Sequence, residues 1–246
     1  SEFNRWSMRL NSDFKIGKRI KIGQSALLSK TYRKRLENQG GRRAQEHAIK
    51  QSPFVAVYDD SFEGGFGGPD TDEGQDARNP VADQFLFTRD EDRYRFFGSI
   101  YGEWEIVKGL TYRVNFGLEY QYQNNLVYNP QYEQVRRQIA FSGINRSKSE
   151  VFNPIFENFL TYANTFGNHD LSVMIGYSAQ EFNFQSHTGT GQELPPNVIS
   201  LNAATNNITA TDAFGESTLT SLFGRLIYNY KDKYMLTANI RRDESS

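Results

Sequence analysis

From Leu110 to Tyr122 the chain alternates without a break: Leu110, Tyr112, Val114, Phe116, Leu118, Tyr120 and Tyr122 on the even positions, Thr111, Arg113, Asn115, Gly117, Glu119 and Gln121 on the odd. Side chains of a strand point alternately to its two faces, so this run is a ribbon with one apolar, aromatic face and one polar, charged face. Its length narrows the choice further. About 9 to 11 residues of tilted strand cross the hydrocarbon core of a bilayer, and this run exceeds that.

The same pattern recurs in pairs. Trp6, Met8, Leu10, Phe14 and Ile16 stand opposite Arg5, Arg9, Asn11, Asp13 and Lys15, and the chain turns through Gly17, Lys18 and Arg19 into Ile20, Ile22, Ala26 and Leu28. Tyr94, Phe96, Ile100, Trp104 and Ile106 turn through Val107, Lys108 and Gly109 into the run at Leu110. A third pair turns at Gly167, and a fourth, Leu222 to Tyr230, turns at Lys231 to Lys233 into Tyr234, Leu236, Ala238 and Ile240. Eight strands are expected, in hairpins at about 5–30, 93–124, 152–185 and 219–243. The stretches between, about 31–92, 125–150 and 186–217, are rich in Gly, Asn, Pro and charge, and read as loops. Within the first, Phe54 to Tyr58 reads as a local strand or an inward-folded segment. Structureless loops beyond about 12 to 15 residues are uncommon in compact soluble domains. Short turns on one side and long loops on the other match an antiparallel transmembrane β-barrel of the bacterial outer membrane, with the turns periplasmic and the loops outside.

Composition agrees with this all-β reading. Apolar residues make up 37% of the chain, with 14% aromatic, because a wall with a wet lumen needs only one apolar stripe per strand and Tyr suits the interfacial girdles. No run of about 20 apolar residues exists to form a transmembrane helix. With 28 basic against 29 acidic residues, nucleic acid is not an expected partner. Cysteine is absent, which excludes disulfides and thiol chemistry. The chain starts and stops beside strands without edge-blunting features, so a stretch of a longer wall is expected rather than a closed eight-strand barrel.

The stretch Phe223 to Ser246 resembles the barrel of the SusC/RagA family of TonB-linked outer-membrane transporters of Bacteroidota. Pro53 to Asp59 followed by Asn79-Pro80-Val81-Ala82, then Glu105 to Leu110, and Thr165 to Leu171 with Gly176-Tyr177, resemble that family's mid-barrel pattern in order and spacing. Glu244 departs from it, standing where the family favours Gly. The resemblance implies a barrel of about 22 strands around a plug, of which this chain would supply wall, lumen surface and loops. It further implies nutrient import, of oligosaccharides or peptides, with a SusD-like lipoprotein over the extracellular mouth and with TonB engaged through a plug-side segment outside this chain.

On that reading the candidate lumen residues are Arg113, Asn115, Glu119, Gln121, Arg225 and Asn239, placed to hydrogen-bond the plug or a passing solute. A wet interior is polar in any case, so each also has a purely solvated reading. The loop aromatics Phe62, Phe66 and Tyr132 could stack on cargo or a lipoprotein lid, or pack within their own loops. Asp70, Asp72, Glu73 and Asp76 around Gly74 are a weak calcium candidate without the full loop pattern. The basic run Arg33, Lys34, Arg35, with Arg42 and Arg43, could meet anionic lipopolysaccharide or form a solvated face. His47, His169 and His187 lack ligand spacing, and no Ser, His and Asp grouping points to an enzyme. The competing class is a soluble β-rich binding or adhesin module, in which a second sheet would cover the aromatic face.

Overall fold

The structure is a computed structural model and describes residues 2–35, 44–62, 64–69, 77–134 and 137–246. Eight long strands form one antiparallel sheet: β1 (Glu2–Ile16), β2 (Ile20–Lys34), β3 (Thr88–Val107), β4 (Leu110–Asn129), β7 (Gly143–Phe166), β8 (His169–Gln192), β9 (Asn206–Tyr230) and β10 (Tyr234–Ser245). Each pairs with the next in that order. The loops carry two short helices, α1 (Ala44–Lys50) and α2 (Pro80–Leu86), and a small ribbon, β5 (Tyr132–Gln134) with β6 (Arg137–Ile139).

The tight turns close where the alternation breaks. At Gly109 the backbone has φ +84, and a Cβ there would lie 2.6 Å from the Ala163 carbonyl oxygen of β7, so glycine is required on both counts. The turn after β9 instead puts Lys231 and Asp232 at φ 55 and 53, the geometry whose twist matches that of the flanking strands.

The strands reach well past the boundaries that alternation suggests. Residues 31–34, 88–92, 125–129, 143–150, 186–192 and 206–217, all read as loop, continue the ladders of β2, β3, β4, β7, β8 and β9. In Asn145 to Glu150 opposite Gln185 to Thr190 main-chain pairing persists with no apolar face to mark it, whereas around Tyr128 and Ile144 the extensions carry a small apolar cluster of their own. Phe54 to Tyr58 is not a strand; Tyr58 alone makes a bridge, to Phe66.

Register carries the apolar face across the whole sheet. One directly paired row runs Ile16, Ile20, Trp104, Tyr112, Leu160, Ile175, Gly224, Ile240. On β1 the apolar positions extend from this row toward the loops, through Phe14, Leu10 and Met8 to Trp6; on β10 they extend from it toward the turn, through Ala238 and Leu236 to Tyr234. The belt therefore slides along the strands by about one residue per strand, the stagger of tilted strands in a barrel wall. The belt is bare: Trp6 is 60% exposed, Phe116 47% and Ile240 76%. Among the described residues no second layer covers it.

The clusters of buried apolar residues lie on the loop side. Tyr128, Ile144, Leu194 and Ala204 form one cluster, and Phe66, Ala82 and Tyr132 another, with Val81, Leu86 and Ile139 against it.

Candidate functional site

The face opposite the belt is the polar one, and register places all six lumen candidates on it. Arg113 lies with its guanidinium 4.0 Å from the centre of the Tyr101 ring, donates from Nε to Asn115 Oδ1 at 3.0 Å and from a terminal nitrogen to Glu103 at 3.4 Å. Asn115 donates in turn to Glu157 on β7 at 3.2 Å. The Tyr101 hydroxyl donates to Asp13 on β1, two strands away, and this reach depends on Gly23: a Cβ on Gly23 would sit 2.2 Å from the Tyr101 ring. Glu119 pairs with Arg95 and accepts from Asn153 at 3.4 Å. Further round, Arg225 Nε donates to Asn239 at 2.9 Å. Gln121 stands between Arg95 and Val151 on the same face.

Of these groups Tyr101, Arg113, Asn115, Glu119, Asn153 and Glu157, with Phe97 and Ile155, border a recess of about 350 Å³ on the polar face. Its chemistry is that of a polar wall. Donors and acceptors saturate one another across neighbouring strands while their outer edges remain open to water or a solute. It has no nucleophile and base geometry, and among the described residues no three acidic or histidine side chains gather to hold a metal. The weak calcium candidates Asp70, Asp72 and Asp76, with Glu73, lie outside the described residues, as do Arg42 and Arg43.

The loop aromatics part company. Phe66 is 8% exposed and Tyr132 1%, both inside the small loop core, so their rings serve packing rather than contact with cargo; Phe62 is half-buried. Asn79 fastens that core. Its Oδ1 accepts from Val81 N and Ala82 N at the start of α2, at 3.0 and 3.2 Å, while Nδ2 donates to the carbonyls of Val57 and Gly67 at 2.7 and 3.0 Å.

One cluster escapes a reading from alternation. Glu91, 4% exposed, is held by Arg33 at 3.0 Å, Arg35 at 2.8 Å and Arg93 at 3.1 Å. It falls in a stretch assigned to loop, although Glu91, Arg93 and Arg95 already stand at strand spacing in the sequence.

No family model matches the chain. Among curated proteins it is 30% identical over 253 residues to TonB-dependent receptor P39 of Formosa agariphila, matching 100% of this chain and 23% of that one. TonB-dependent receptor P3 of the same organism is 26% identical over 263 residues, with 100% of this chain and 25% of the relative covered. The chain thus spans about a quarter of the length of the curated relatives it matches. In fold it superposes on the RagAB peptide importer in its open-open state with a TM-score of 0.78 at 16% identity, covering 99% of this chain and 28% of that one. Over its whole length the chain is similar in sequence to a stretch of TonB-dependent receptors, and it has the fold of a stretch of β-barrel wall.

Proposed function

We propose that this wall belongs to an outer-membrane importer that takes up peptides or oligosaccharides in a TonB-dependent manner, with a SusD-like surface lipoprotein over its mouth. The observation that carries the reading is the bare apolar belt, continuous over eight strands and sliding by about one residue per strand. Lipid covers that belt. The polar face then lines the lumen, the tight turns lie in the periplasm, and α1, α2 and the long strand extensions project outside. Support for import comes from the relatives, which are receptors and a peptide importer by name.

The orientation is tested in the full-length receptor on intact cells. The chain has no cysteine of its own, so single replacements report cleanly within it. Phe54→Cys, at a loop position 91% exposed, should react with a membrane-impermeant maleimide, and Asn168→Cys, at a turn, only after the outer membrane is opened. The opposite labelling pattern would sink the topology, and cargo uptake that persists without TonB would sink the coupling.

A further inference from the structure

We infer that the lumenal face of β1 to β3, near the extracellular mouth, captures an anionic oligomer bearing carboxylates or sulfates; this rests on the import reading above. The charge count is local. The chain as a whole has a net charge of −1, yet three guanidiniums converge on the buried carboxylate of Glu91. Their side chains remain 41%, 51% and 42% exposed for Arg33, Arg35 and Arg93, so the surplus positive charge faces the lumen rather than the protein.

Glu91 acts as an organiser. Each arginine gives it a terminal nitrogen, and Arg93 fixes its Nε on Gln123 at 3.0 Å, so rotamer freedom is already spent before a ligand arrives. The remaining N–H groups of a planar fork suit bidentate binding of carboxylate or sulfate oxygens. The same face continues onto β1, where Arg5 and Arg9 stand opposite Thr31 and Leu27 of β2. Toward the turns the balance changes: Lys15, Lys21 and Arg113 share the face with Asp13, Glu103 and Glu157, and Arg113 is already bonded to Glu103. A cargo drawn in at the mouth therefore meets a nearly neutral wall below, which favours passage over trapping.

The test uses the full-length receptor in detergent and calorimetric titration with four probes: an oligo-aspartate peptide, its oligo-asparagine counterpart, oligogalacturonate and its methyl ester. At low salt the acidic member of at least one pair should bind about tenfold more tightly than its neutral partner, with the preference shrinking as salt rises. Whichever pair shows the preference identifies peptide or glycan as the source of the charge. Arg33→Gln with Arg93→Gln should remove most of the preference and leave the neutral probes unchanged. Arg5→Gln with Arg9→Gln, which leaves Glu91 and its partners intact, should weaken the acidic probes by several-fold and keeps the test alive if the first pair misfolds. Equal binding of acidic and neutral probes, or an equal loss of both in the variants, would overturn the inference; the second result would assign the arginines to holding a plug or the barrel. Loss of uptake with the acidic preference intact would count against the import reading alone.

Discussion

Asn79 links three pieces of loop through one side chain: it caps α2 and ties down the carbonyls of Val57 and Gly67. Replacing it by Ala removes a helix cap and two hydrogen bonds to loop carbonyls, a cost of about 2 kcal/mol. Because that core is separate from the sheet, the loss should stay local. Amide exchange in the full-length receptor should quicken across residues 77–87 and be unchanged in β4; slowed or unaltered exchange in the loop would refute the assignment. Asp59 offers a titratable counterpart. Its carboxylate is held below the usual range by the Ser61 hydroxyl at 2.6 Å and the Ser61 N–H at 3.0 Å. A carboxylate with a depressed folded value contributes its full stabilisation above the unfolded value and loses it as pH falls through the folded one. The turn around Asp59 should therefore hold at neutral and mildly acidic pH and loosen only below the ordinary carboxylate range, and Asp59→Asn should abolish that pH dependence of Ser61 amide exchange.

At the level of the strand, the two faces predict opposite responses to the same substitution. Phe116→Arg puts a cation in the lipid belt and should destabilise the full-length barrel in vesicles by about 2 to 4 kcal/mol, while Ser178→Arg, on the lumenal face beside Glu157, should change stability by less than about 1 kcal/mol. Equal effects in a denaturant titration would contradict the assignment of faces. This contrast was already legible at Leu110 to Tyr122, where alternation alone names both faces. The loop-side half of β7 was not legible, because Asn145 to Glu150 has water on both sides and no apolar period to show. The start of α2 carried a signal in Asn79-Pro80, a capping residue before a proline at the first helical position, but one helical turn or two is too short for periodicity to reveal. Most of the lumenal site lay further out of reach. Arg113 with Asn115 are neighbours on one strand, whereas the meeting of Asn115 with Glu157, or of Arg33 with Glu91, depends on registers set across the long loops. Alternation fixes such a register only to within steps of two residues.

The whole sheet has properties that no single hairpin has. β1 and β10 each pair on one side only, and the belt between them is bare, so this stretch by itself in water should associate through its edges and apolar face. Size-exclusion chromatography should show large species without detergent; a monomer with cooperative unfolding would refute the barrel-wall reading. The slide of the belt makes a geometric prediction for the full-length receptor. If lipid holds the belt level, the paired rows must climb relative to the membrane as the belt descends along them, by about one residue for each strand crossed. A rise of about 3.3 Å per residue against a strand spacing of about 4.8 Å then sets a strand tilt of about 35° from the membrane normal. Polarised infrared dichroism of the receptor in oriented bilayers measures that angle directly. Strands upright to within about 20° would mean that the apolar residues on β1 and β10 cannot lie at one depth, and the belt would lose its meaning as the level of the bilayer.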